Sequence, residues 1–311
     1  MLAAKPLPSL RQLRHLVAVA ELGHFGRAAE SCFVTQSSLS ASIKALETLL
    51  GRILVERTRR RVMMTPLGSE VAARARRLLA DAGDIVDLVA ASGAPLAGTL
   101  RLGVIPTIGP FLLPRVMPAL RRAYPELKIY LREEQTAPLI EGLAAGALDL
   151  LLIAFPYPVP GMETHVFATD PFFVAFPPAH PFADRERLTG PDLRGEELLL
   201  LDDGHCLRDH ALRVRGIGAP PAGFQATSLP TLVQMVDGGL GLTLLPKMAI
   251  DGGIVRGTRV QTRPLEGRGA SRRIGLAWRP SSARKDEFAL VAGVFRDELG
   301  TPLPPGRGRK G

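Results

Sequence analysis

From residue 99 onward the chain alternates short apolar runs with helical patterns, and this alternation restricts its fold more than any other feature. The runs 99–105, 128–132 and 149–155 have the length of strands and are rich in Leu and Ile, while 109–123 and 136–145 read as helices. A βαβαβ succession pairs its strands in parallel and lays its helices against the sheet, so an α/β domain is expected. A second α/β unit runs from about 169 to 267, with apolar segments at 172–176, 197–201, 223–226, 229–236 and 241–245 and a helix after Cys206. The strand 272–278 and the helix 284–299 are well placed to return to the first unit. Two lobes joined by such crossovers leave a cleft between them.

The N-terminal quarter has a different character. Leu10, Leu13, Leu16, Val17 and Ala20 recur at helical spacing behind Ser9, a good N-cap, and Gly23 breaks the pattern. A short helix at 25–32 and a third, capped by Thr35 and reaching about residue 50, follow. Leu39, Ile43 and Leu46 share one face of that third helix and are assigned to the core, while Gln36, Ser37, Ser40 and Lys44 lie away from it. Small Ala28 and Ala29 let two helices cross closely, as a helix-turn-helix requires. Ile53-Leu54-Val55 and Val62-Met63-Met64 flank the basic run Arg57-Thr58-Arg59-Arg60-Arg61, a pattern for a β-hairpin wing. Thr65-Pro66 then opens a long helix. Val71, Ala75, Leu78, Ala82, Ile85 and Val89 form a heptad seam on it, which points to a dimerising linker rather than to packing on its own domain. The expected domains are a winged helix-turn-helix at 1–65, a linker helix at 66–93 and a regulatory domain at 94–301. Within the last, lobe I covers about 94–168 and 268–301 and lobe II about 169–267. The Pro/Gly/basic tail 302–311 is expected to be unstructured.

Charge separates the same regions. The chain carries +9 overall, and residues 1–77 hold thirteen Lys and Arg against five Asp and Glu. The tail adds Arg307, Arg309 and Lys310, which leaves the body slightly acidic. A basic head on a near-neutral body suits a polyanion partner. No run is long enough to span a membrane, and the start lacks the pattern of a signal peptide, so a cytoplasmic protein is expected. Cys32 and Cys206 are the only cysteines and the six histidines are scattered, so neither a metal site nor a cofactor is expected. Gln36 has the chemistry to read adenine in a major groove, and Arg59, Arg60 and Arg61 suit the DNA backbone or minor groove. The plainer reading of Ser37, Ser38 and Ser40 is ordinary helix surface.

Residues 13–67 closely resemble the DNA-binding head of the LysR family. The resemblance is carried by Phe25-Gly26-Arg27-Ala28-Ala29, Val34-Thr35-Gln36-Ser37-Ser38-Leu39-Ser40, Ile43-Lys44-Ala45-Leu46-Glu47, Leu54-Val55-Glu56-Arg57-Thr58 and Thr65-Pro66-Leu67-Gly68. It continues through the linker and both lobes. It implies a periplasmic-binding-protein-like regulatory domain and a homodimer or homotetramer on a pseudo-palindromic double-stranded operator, with RNA polymerase as a further partner. The DNA contacts it implies are Arg27, Thr35, Gln36, Ser37, Ser38, Ser40, Lys44, Arg57, Arg59, Arg60 and Arg61.

A second constellation, Asp202-Asp203-Gly204-His205-Cys206-Leu207-Arg208-Asp209, resembles the peroxide-sensing motif of OxyR-type LysR regulators. Ile105-Pro106-Thr107-Ile108-Gly109-Pro110, Glu134-Gln135-Thr136, Ala226-Thr227-Ser228-Leu229 and Arg272-Arg273-Ile274-Gly275-Leu276 match that subgroup too. The resemblance implies that Cys206 attacks hydrogen peroxide, positioned by Thr107, Thr136, His205 and Arg272, with Asp209 in the reacting network. Such a thiol must react as its anion. With His205 beside it and Arg208 one turn on, a depressed pKa is expected. The plainer readings are an inert buried thiol and, for Thr107 and Thr136, helix capping. One departure stands out: 207–223 contains no resolving cysteine, and Arg215 occupies its place. Oxidation would then stop at a sulfenic acid or a mixed disulfide with a small thiol. The alternative is a LysR regulator that senses a small organic effector in the cleft, with Cys206 no redox switch. A solute-binding protein or an enzyme on the same two-lobed fold is disfavoured by the basic head, and no nucleophile–base pair, phosphate loop or metal set supports turnover.

Overall fold

The structure, a computed structural model, describes residues 6–57, 62–90, 95–216 and 225–300. Helix α1 (Leu10–Leu22) begins where the sequence supplies a cap. The Ser9 hydroxyl accepts from Gln12 N at 3.2 Å, and Gln12 Oε1 accepts from Ser9 N at 2.9 Å, a reciprocal capping box. Gly23 ends the helix at φ 58°. Helices α2 (Phe25–Ser31) and α3 (Gln36–Leu50) complete the three-helix head. Leu39, Ile43 and Leu46 are fully buried together with Leu16 and Ala28. Each large aliphatic side chain buried in this way contributes about 1.5–3 kcal/mol.

Strands β1 (Val55–Arg57) and β2 (Val62–Met64) pair antiparallel with Val55 opposite Met64, which is the expected wing. Arg57 closes β1 instead of opening the turn. Arg59, Arg60 and Arg61 lie outside the described residues, as does the tail 302–311. Thr65 Oγ1 accepts from Gly68 N at 2.9 Å and starts α4 (Pro66–Ala90). A Cβ at Gly68 would stand 2.0 Å from the Leu54 carbonyl oxygen, so only glycine lets this helix press against the wing's base. Along α4 the heptad seam is divided. Ala75 is buried and Val71 and Ala82 are half-buried, while Leu78 and Ile85, with neighbouring Val86, stay 53–67% exposed.

The second unit is the α/β body. Parallel strands β3 (Gly98–Val104), β4 (Leu127–Glu133) and β5 (Leu150–Phe155) are linked by α5 (Gly109–Ala123) and α6 (Thr136–Ala144). β6 (Glu163–Phe176) is one strand of 14 residues, far longer than the segment 172–176 read from the sequence. Its first half carries Glu163, Thr164 and His165, polar residues that hide the strand pattern. That half pairs with β12 (Ser271–Trp278), and the second half pairs with β10 (Thr243–Pro246) and β11 (Gln261–Glu266). With edge strand β7 (Leu188–Thr189) the sheet runs β4-β3-β5-β12-β6-β11-β7, and β10 joins β6. The expected strand at 197–201 shortens to β8 (Leu200–Leu201), parallel to β9 (Gln225–Ala226).

Helices α7 (Cys206–Arg215), α8 (Leu229–Asp237) and α9 (Lys247–Asp251) cover the second lobe, and α10 (Lys285–Leu299) returns to the first. One apolar core gathers β3, β5, α5 and α10, with Trp278 against Phe288 and Phe167 edge-on to Phe295. The other gathers the second half of β6, α8 and β10. Cys206 belongs to the first core and its neighbour Leu207 to the second. The start of α7 is therefore wedged where the lobes adjoin.

Candidate functional site

On the head, the side chains expected to meet DNA gather at the start of α3. The Thr35 hydroxyl caps the helix, accepting from Ser38 N at 3.2 Å, and lies 2.8 Å from Ser38 Oγ and 3.0 Å from Ser37 Oγ. Gln36, Ser37 and Ser38 are exposed there beside free backbone N–H groups, an arrangement that attracts phosphate or base acceptors. Lys44 is exposed two turns on and Ser40 is half-buried. Arg27 donates to the Leu22 carbonyl at 2.7 Å, tying α2 to the end of α1. The sequence reading missed Phe33, which sits in the α2–α3 turn with φ 55° and is 96% exposed.

The second constellation is assembled from five elements. α7 begins at Cys206, with His205 as N-cap residue, so the thiol stands on the first turn where the helix dipole favours an anion. Arg272, on β12, is wholly buried. Its Nη1 donates to Thr107 Oγ1 at 2.7 Å and its Nη2 to the Thr107 carbonyl at 2.8 Å. Its Nε and Nη2 lie 3.0 Å from Asp170 Oδ2. Asp170 is the direct cross-strand partner of Arg272 in the β6–β12 register, and its Oδ1 accepts from Met248 N at 3.0 Å. Such a buried guanidinium persists only when its hydrogen bonds and its charge are both matched. Thr136, at the start of α6, is buried, and its hydroxyl faces the Cys206 sulfur without a normal hydrogen-bond partner among the described residues. His210 lies below, with Nδ1 2.7 Å from the Cys206 carbonyl oxygen.

These contacts correct the expected electrostatics. Burial pushes the Cys206 thiol pKa up, and Arg272 and the Thr136 hydroxyl offset this only in part, with Asp209 adding to the rise. The depressed pKa expected from the sequence is therefore absent, because neither of its assumed causes is in place. Burial pulls the His205 pKa down against the opposing pull of Asp202, so its imidazole is neutral near pH 7. Arg208 turns away, pairing with Asp203 at 2.9 Å and donating to the Leu201 carbonyl at 3.1 Å. It secures the loop ahead of α7, and Arg272 is the cation that acts on the thiol. That loop is also held by Gln135 Nε2, which donates to the Asp203 carbonyl at 3.3 Å. Asp170, His210 and Tyr157 escaped the sequence reading. Half-buried Tyr157 has its pKa raised by burial first, and further by its electrostatic interaction with Cys206 and Asp209. A neutral, buried sulfur beside a buried cation and a spare hydroxyl can take a small polar reactant or a small anion. No cluster suited to a metal ion occurs among the described residues.

Known proteins resemble this chain over nearly all of its length. Residues 10–69 match the family "Bacterial regulatory helix-turn-helix protein, lysR family" and residues 93–300 match "LysR substrate binding domain". The chain is 44% identical to a probable hydrogen peroxide-inducible genes activator of Streptomyces viridosporus, covering 94% of this chain and 95% of that one. It is 38% identical to the DNA-binding transcriptional dual regulator OxyR of Escherichia coli K12, covering 94% and 96%. Among solved structures, a full-length Pseudomonas aeruginosa OxyR carrying a Cys-to-Asp replacement superposes with TM-score 0.78 at 34% identity, covering 94% and 95%. A hydrogen peroxide-bound Cys-to-Ser mutant of Corynebacterium glutamicum OxyR gives 0.65 at 37% identity, covering 95% and 94%. Joined to the three-helix head, the wing and the two-lobed body, these matches place the chain in the LysR family of helix-turn-helix transcription regulators, among its OxyR-like members.

Proposed function

We propose that this chain is a sequence-specific, peroxide-responsive transcription regulator whose signal is oxidation of Cys206. The Thr136 hydroxyl carries the reading: it is buried, it acts on the Cys206 sulfur as a hydrogen-bonding group, and among the described residues no nitrogen or oxygen partner meets it. An orphaned polar group of this kind calls for a ligand that can hydrogen-bond to it, and hydrogen peroxide is small enough and both donates and accepts. Thr107, His205, Arg272 and Asp209 complete the reacting set, and Arg208 supports it through the loop. The sulfur, once its proton has left, attacks one peroxide oxygen and the O–O bond breaks. Sulfur is oxidised to the sulfenic acid, and the departing hydroxide takes up the thiol's proton to leave as water. With no cysteine at 207–223, the product persists or condenses with a small thiol.

The head would read a pseudo-palindromic duplex through Arg27, Thr35, Gln36, Ser37, Ser38, Ser40 and Lys44, with Arg57, Arg59, Arg60 and Arg61 on the wing. The open Leu78 and Ile85 of α4 support a homodimer, or a homotetramer built from dimers, working in the cytoplasm with RNA polymerase. The test is a short peroxide pulse in the presence of dimedone, followed by peptide mass spectrometry. Cys206 should carry the adduct in the wild type, and Cys206→Ser should lose peroxide-dependent transcription while retaining DNA binding. Replacing Arg59 and Arg60 by Ala should flatten the salt dependence of that binding by about one unit of slope per lost phosphate contact. A second reading rests on the raised thiol pKa: Cys206 is inert and the pocket takes a small organic anion. A thiol that traps no dimedone would favour it.

A further inference from the structure

The β6–β12 register sets Asp170 opposite Arg272, and both side chains are almost wholly inaccessible. Nε and Nη2 of Arg272 face Asp170 Oδ2, Nη1 donates to Thr107 Oγ1, and Nη2 also donates to the Thr107 carbonyl. Three of these contacts are hydrogen bonds, one each from Nε, Nη1 and Nη2, and the second Nη2 approach to Asp170 Oδ2 is an ion-pair contact, so among the described residues Nη1 keeps one hydrogen with no partner. Asp170 cannot swing aside, because its other oxygen holds the Met248 N–H at the start of α9. The groups gathered around Cys206 come from several elements. Arg272 lies on β12, Thr136 on α6, His205 at the N-cap of α7 with Asp209 and His210 in its first turns, and Tyr157 after β5. Burial keeps both imidazoles and the phenol neutral near pH 7. The charges in and around the pocket are therefore those of Arg272, Asp170 and Asp209, with Asp202 acting on His205 and Arg213 on His210.

A buried cation already matched by a carboxylate has little attraction left for a second anion in a low-dielectric site. We propose that Asp170 is a positioning residue that competes with the Cys206 thiolate for the Arg272 guanidinium and so sets how readily this chain responds to peroxide. The inference deepens the regulation of the Cys206 site and rests on that reading. Asp170 acts through Arg272 and makes no contact with the reactant. It keeps the thiol protonated at rest, so only a reactant that enters the pocket and engages Thr136 and the remaining Nη1 hydrogen meets a reactive sulfur.

The test is the pH profile of Cys206 alkylation by iodoacetamide in the full-length protein, followed on the Cys206 peptide by mass spectrometry. Asp170→Asn should move the midpoint down by about one pH unit and speed the reaction at pH 7 about tenfold. Asp170→Glu, which keeps the charge, should track the wild type. A midpoint that stays put or moves up in Asp170→Asn overturns the proposal. Should that variant fail to fold, Thr107→Val tests the premise on which the proposal stands, that the neighbours of the guanidinium compete with the sulfur for it. The substitution frees the Nη1 hydrogen that Thr107 Oγ1 holds without altering any charge, so a guanidinium shared with the sulfur should quicken alkylation severalfold, while Thr107→Ser matches the wild type. Equal rates in all three proteins would show that the guanidinium is not shared. The midpoint of alkylation reads acidity and needs no peroxide. A protein that shows these shifts but never responds to peroxide would refute the functional reading, and with it the link to peroxide response, and leave the competition for Arg272 standing.

Discussion

Removing the Arg272 guanidinium tests whether the buried ion pair organises the body. Arg272→Leu strands the Asp170 carboxylate among apolar strands, and such a broken buried pair costs about 3–5 kcal/mol. Asp170→Leu strands the guanidinium at a similar cost and also orphans the Met248 N–H, adding about 1 kcal/mol. If the two changes acted independently, the double variant would lose roughly 7–11 kcal/mol, the sum of the costs of the two single changes. With both charges gone only uncharged groups remain unmatched, chiefly the Met248 N–H and the Thr107 oxygens. The double variant should therefore lose only about 2–4 kcal/mol. Trp278, the sole tryptophan, lies on β12 six residues beyond Arg272 and is nearly buried, so its fluorescence reports unfolding of this unit alone. In urea titrations each single variant should lose most of its midpoint. On heating Arg272→Leu should melt about 6–20 °C lower and Asp170→Leu about 8–24 °C lower, since a domain of this size moves about 2–4 °C per kcal/mol. Losses that add within about 0.5 kcal/mol would show that the two side chains do not act as a pair.

Two further outcomes follow from neighbouring residues. His205 and His210 both have folded-state pKa values below their ordinary value of 6.5 through burial. The unfolded chain therefore binds more protons near and below that pH. Stability is fully present above about pH 6.5 and falls as pH drops through the folded-state values. Trp278-monitored melts from pH 8 to pH 5 should show this loss, and His210→Gln, which can still donate to the Cys206 carbonyl, should reduce it. Gly204 has φ 93°, and a Cβ there would stand 2.4 Å from Gln135 Oε1. Gly204→Ala should cost about 1–3 kcal/mol. Adding Gln135→Ala should recover the clash but not the backbone strain, and full recovery in urea titrations would contradict that division.

The sequence by itself determined the local elements. Ser9, Thr35 and Thr65 cap their helices as read, Leu39, Ile43 and Leu46 are core, and the two apolar runs about the basic turn form the wing. These features depend on neighbours within a few residues, where helix periodicity, capping and turn chemistry act. Cys206 at the start of α7 was legible for the same reason, because the change from strand to helix is a local event. Tertiary structure decided the charge at the thiol. Arg208 is near in sequence, yet its side chain leaves for Asp203, and the acting cation is Arg272, 66 residues further along the chain. Its partner Asp170 is fixed by strand register, which depends on how two distant strands align and leaves no trace in either strand's own periodicity. The full length of β6 was hidden because its outer half carries polar residues, and only pairing with β12 makes it a strand. The direction of the Cys206 pKa likewise rests on burial between two cores, a property of packing that no single segment of chain contains.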